Sequence, residues 1–117
     1  MKVLEYVGQT KMSGTVNFGP YVLSEGALAI GIRVHKFNWP ADASVHAALM
    51  YSEDDGKTFL HGGSVGDDGS RPRDAWMRGT LGTLADGAPE RWKPGTILKG
   101  RVMFSEEVEA AVQVSTE

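Results

Sequence analysis

The chain of 117 residues carries a net charge of −3, 41% hydrophobic residues, fifteen glycines and no cysteine. That length suits one domain, expected over residues 1–117, and the missing cysteines exclude a disulfide framework and any thiolate-based metal or nucleophilic site. No apolar run reaches the roughly 18–20 residues of a membrane-crossing helix and the first twenty residues lack a signal-peptide pattern, so no membrane partner is expected.

Along the chain, alternation dominates over helical spacing. Residues 2–7 are a weak strand candidate, and 11–18 offer Met12, Val16 and Phe18. In 27–37 the apolar set is Leu28, Ile30, Ile32 and Val34; in 44–51 it is Val45, Ala47, Leu49 and Tyr51. Residues 58–61 and 75–81 are weaker candidates. Leu98, Val102 and Phe104 then share a face over 96–104, as do Ala110, Val112 and Val114 over 109–115. A period of two is what a strand with one buried face requires, because successive side chains point to opposite sides. The only helix-like composition lies at 105–112, and its closing Val-Gln-Val-Ser favours a turn followed by a strand. Segments rich in Gly, Asp and Pro (38–43, 52–56, 62–73 and 82–95) read as loops. The expected fold is all-β: an antiparallel β-sandwich, jelly-roll or immunoglobulin-like, of seven to eight short strands.

Treating 38–43 as a hairpin loop places Ile30 by Tyr51, Ile32 by Leu49 and Val34 by Ala47, with His35 opposite His46 on the outer face. Charge is segregated as well. Residues 53–68 carry five acids against Lys57, 71–101 carry seven bases against three acids, and the tail from Ser105 holds four glutamates and no base. Such blocks suit either solvated faces or complementary contacts with another copy or an anionic partner.

The segment Ser52-Glu53-Asp54-Asp55-Gly56-Lys57-Thr58-Phe59 resembles the Asp-box, S-x-D-x-G-x-T-[W/F], at every defined position. The resemblance implies a structural turn built on Ser52, Asp54, Gly56, Thr58 and Phe59, remote from any catalysis. An Asp side chain can bond backbone N–H groups across such a turn, and Gly supplies a positive φ. Asp54 and Asp55 with Asp67 and Asp68 offer oxygen ligands for calcium, although their spacing follows no known loop code. More broadly, residues 27–117 resemble in layout the small β-sandwich proteins of tailed-bacteriophage virions, found as capsid decorations and neck or tail attachments. That likeness implies a non-catalytic protein, located in the virion and assembled in the host cytoplasm, with copies of itself and other virion proteins as partners.

His35, His46 and His61 on neighbouring strands would suit zinc, against the plainer reading of three unlinked imidazoles, and no metal or other cofactor is expected. No nucleophile elbow, phosphate loop or zinc-protease motif is present, so no catalytic residue is assigned and an enzyme is not expected. Trp39, Trp76 and Trp92, interleaved with Arg71, Arg73 and Arg91, are the interface candidates. Their rings have three possible partners: the core, a protein, or a sugar, the last making a carbohydrate-binding module the alternative function. Contact elements are expected in the loops 62–73 and 82–95. Nucleic acid is not expected, since the chain is acidic and carries no binding motif.

Overall fold

The computed structural model describes residues 2–28, 30–67, 76–81 and 92–116, with the backbone alone for Val65, Asp67 and 76–81. Among these residues there is no helix, and six antiparallel strands belong to one hydrogen-bonded sheet: β1 (Lys2–Val22), β2 (Ile30–Asn38), β3 (Val45–Ser52), β4 (Leu60–Asp67), β5 (Trp76–Leu81) and β6 (Ile97–Thr116). Each of the eight segments expected from alternation overlaps one of them. The number falls to six because two pairs of segments fuse. Residues 2–7 and 11–18 run on as β1, and the turn expected after Ser105 is instead the middle of β6.

Length forces these strands to bend. At about 3.3 Å per residue, the 21 residues of a straight β1 would run about 70 Å, whereas the longest dimension of the molecule is 41 Å. The register between β1 and β6 breaks at four places: between Val3 and Glu5, Val7 and Thr10, Met12 and Gly14, and Phe18 and Tyr21. Bulges of this kind bend and twist a strand. The two ends of β1 consequently meet: Lys2 Nζ donates to Ser24 Oγ at 3.1 Å, and Tyr21 bonds Glu5. Burial, reinforced by that carboxylate, pushes the Tyr21 hydroxyl up to about 12.

The hairpin expected between β2 and β3 does not form. Both strands pair with β6, β2 along its second half (Ile30↔Thr116, Val34↔Val112) and β3 along its first (Val45↔Phe104, Tyr51↔Leu98). They run in the same direction, end to end, so the connection through Pro40 is a kink and not a reversal. It is held by Ala43 N–H to the Pro40 carbonyl at 3.1 Å and by Ser105 N–H to the Ser44 carbonyl at 3.0 Å. Within the strands the faces were read correctly, since Ile30, Ile32, Val34, Val45, Ala47 and Leu49 are all buried; Leu28, expected on the same face, precedes β2 and is exposed. Alternation fixes which face a side chain takes but not which strand lies beside it.

β4 pairs with β3 and β5 with β2, again head to tail in one direction. The sheet is thus four long rows, β1, β6, β2 with β3, and β5 with β4, folded across its middle. One hydrophobic cluster takes residues from both halves, Ile32 and Val34 from one and Leu49 and Val102 from the other. The two described tryptophan side chains sit at opposite ends of that cluster. Trp39, beside the fold line, meets Phe104 edge-on at 6.0 Å with Lys36 Nζ 4.7 Å over its ring. Trp92, at the open end, meets Tyr51 edge-on at 5.0 Å, and its backbone forms a two-bond bridge to Ala27, each bond 2.8 Å.

Candidate functional site

The turn between β3 and β4 closes as its sequence implies. Ser52 Oγ donates to Asp54 Oδ1 at 2.7 Å and accepts from Gly56 N–H at 2.9 Å. Asp54 Oδ1 accepts from Thr58 N–H at 2.9 Å, and Asp54 Oδ2 accepts from the Thr58 hydroxyl. Asp55 and Gly56 both take positive φ, 64° and 86°. Two such residues in succession bring the chain round tightly, and glycine at the second meets no steric cost. The bonds from Thr58, side chain first and then backbone, hold the Asp54 carboxyl down at about 2, with Ser52 adding to them. Each oxygen of Asp54 is therefore already engaged by the turn. Among the described residues, no three histidines, aspartates or glutamates gather into a set able to hold a metal ion.

The interface candidates separate in the structure. Trp39 and Trp92 are 7% and 1% exposed, so of the three partners their rings have the core, and neither is displayed to a protein or a sugar. Trp76 is placed by its backbone opposite His35 on β5. Arg71, Arg73 and Arg91 lie outside the described residues, as do Asp68 and most of the two long loops. The start of the first expected loop is a correction: 62–67 continue β4 as a strand. Gly62 is not punctuation here but room, since a Cβ there would stand 3.0 Å from the Trp92 ring.

The three histidines also part. His35 pairs with Ala111 and His46 with Met103, eight residues apart along β6, so the expected contact of His35 with His46 is overturned with the hairpin. His35 instead meets the Phe37 ring at 4.4 Å, the two planes tilted by 44°. His46 and His61 do come together. They line a groove of about 590 Å³ on the outer face of the half-sheet formed by β4, β3 and the first half of β6, with β1 as its far wall.

The pairing registers explain the hollow. One row across four strands reads Asn17, Arg101, Ala48, Ser64; the next reads Lys99, Met50, His61. Ala48 and Ser64 are small, so the first row sinks between His46 on one side and Met50 and His61 on the other. The chain through Phe18, Gly19 and Pro20 raises the wall along β1. Below that wall Phe18 lies over Gly100, where a Cβ would overlap both the Phe18 ring and the Ala48 carbonyl oxygen. Lys99 reaches back to the turn, its Nζ 3.9 Å over the ring of Phe59. Among the described residues the groove is lined by two fixed cations, two imidazoles, an amide and a hydroxyl, and by no carboxylate. Sequence reasoning singled out His46 and His61 but missed Lys99 and Arg101. The available signal was that both project from the polar side of a strand whose other side is core.

No known family matches this chain, and no curated protein does.

Proposed function

We propose that the protein is a non-catalytic structural subunit of a tailed-bacteriophage particle, a capsid decoration or a neck or tail attachment, that contacts copies of itself and other virion proteins. In this reading the two halves of the folded sheet serve as the layers of a small β-sandwich. The virion part of the reading rests on the layout resemblance described above.

The observation that carries the assembly part is β1. Among the described residues this 21-residue strand is paired on one side only, by β6, so its other edge offers backbone N–H and C=O groups to a further chain. It also carries Val3, Tyr6 and Val22, exposed by 47%, 59% and 68%. Apolar side chains gathered on an open edge mark a contact surface more than a solvated one. The bulges keep regular runs short, the longest being Gly14 to Phe18, which restrains indiscriminate edge pairing and leaves the choice of partner to side chains.

Light scattering of the purified protein tests the assembly. A discrete oligomer is expected, dissociated by Tyr6→Lys with Val22→Lys; a monomer at all concentrations overturns the reading. Mass spectrometry of particles made by the encoding genome tests the location, and absence of the chain from them removes the virion part.

A further inference from the structure

We infer that the groove across β1, β6, β3 and β4 is a binding site for a small organic anion, one with a phosphate or carboxylate head on an apolar body. This goes beyond assembly, since the groove lies on the outer face of one half-sheet whereas β1 presents its edge.

The first argument is charge. Arg101 and the stem of Lys99 project from alternate positions of β6 into one hollow, the Lys99 ammonium reaching on to Phe59, with His46 and His61 facing them from β3 and β4. In a chain whose net charge is −3, four nitrogen-bearing side chains converge where no described carboxylate lines the space. Two fixed cations placed near one another without a counter-charge raise the local potential and favour an anion, and the two imidazoles add hydrogen-bonding nitrogens.

The second is shape. The sunken row puts Arg101 between Asn17 and Ala48, and its exposed side chain lines the groove. A planar fork of donors matches the two oxygens of a carboxylate or phosphate. Asn17 and Ser64, at the two ends of that row, add neutral donors at the rim.

The third is the remaining surface. Phe18, Pro20 and Met50 contribute apolar lining, and Met50 is 40% exposed. A volume of about 590 Å³ lies inside the range of pockets for small molecules, roughly 300–1,000 Å³. A bare inorganic ion would leave most of it unfilled, so an organic body is required.

The test uses the full chain with phenyl phosphate and benzoate as probes, benzyl alcohol as the neutral control and inorganic phosphate as the head alone. Binding is read from the ring resonances of His46 and His61 by NMR. Saturable shifts are expected with one or both aryl anions, the stronger identifying the head group. Weaker shifts are expected with inorganic phosphate and none with benzyl alcohol. Arg101→Gln, at an exposed position, lowers affinity by about tenfold or more, and Ala48→Leu, which fills the hollow, removes binding. Three results overturn the inference: no saturable shift with any anion at millimolar concentration, equal binding of the neutral alcohol, or Arg101→Gln binding as the parent does. Circular dichroism melts confirm that both variants are folded, and Arg101→Gln carries the test alone if Ala48→Leu is not.

Discussion

The turn at 52–59 and the groove beside it are built in opposite ways. In the turn, Ser52, Asp54, Gly56 and Thr58 supply both donors and acceptors, so Asp54 is held by Ser52 and Thr58 within four positions of itself. In the groove, the row Asn17, Arg101, Ala48, Ser64 draws on four strands, with 84 positions between its first two members. The turn uses up the charge of Asp54 internally, while the groove leaves Arg101 exposed. Local bonding closes a structure on itself, and long-range assembly leaves groups free to meet something else. Lys99 joins the two regions, with its stem in the groove and its ammonium over Phe59 of the turn.

That contrast can be broken at four points. The largest effect is expected at the groove floor. Gly100→Ala places a methyl group against the Ala48 carbonyl, which cannot rotate away, and against the Phe18 ring. A loss of about 3 kcal/mol is expected from overpacking of this kind, read as a fall in the urea midpoint. Ser52→Ala comes next. Ser52 is fully buried, and its removal takes away the acceptor of the Gly56 N–H and one of the two donors to Asp54 Oδ1, a cost of about 1–2 kcal/mol.

A pH series isolates the charged part of the turn. Asp54 titrates at about 2 in the folded protein against an ordinary 3.8, so its contribution is complete above the unfolded value and lost as pH falls from about 4 to about 2. Melting temperatures of the parent and Asp54→Asn should therefore differ at neutral pH and converge near pH 2. A difference that stays constant down to that pH would show that the carboxylate's charge is not what holds the turn. The smallest change is expected for Phe59→Leu. It removes the cation–π contact with Lys99, worth about 0.5–1 kcal/mol at an exposed site, and should leave the bonds around Asp54 intact. Amide exchange at Thr58 unaltered by this variant would confirm that the two regions are separable.

What the sequence made legible follows the same division. Strand positions were readable because burial of one face imposes a period of two, and the turn because all its partners lie within seven residues. The neighbour of β2 was not readable, since any antiparallel strand of the right parity satisfies Ile30, Ile32 and Val34 equally well. The roles of Trp39 and Trp92 were open for a related reason. Both stand in loop-like contexts, and only the folding of the sheet across its middle creates the two ends of the core that they fill. The groove needed the registers of three separate pairings at once. Arg101 and Lys99 were visible as polar positions on a strand, without any sign that Ala48 would lie beside one of them.

The place of β6 has a consequence for how quickly the protein reaches this structure. It is the last of the six strands to be made, yet it lies between the first and the two that follow, with Lys2 opposite Thr116 and Ile30 opposite the same residue. Neither β1 nor the row of β2 and β3 has its central partner until β6 exists, so the chain must search for pairings across most of its own length. Folds dominated by such distant contacts cross their barrier slowly, in milliseconds to seconds. Until that insertion is complete, β1 and β2 both hold an unpaired side open, and the nascent chain is most vulnerable to pairing with the wrong strand.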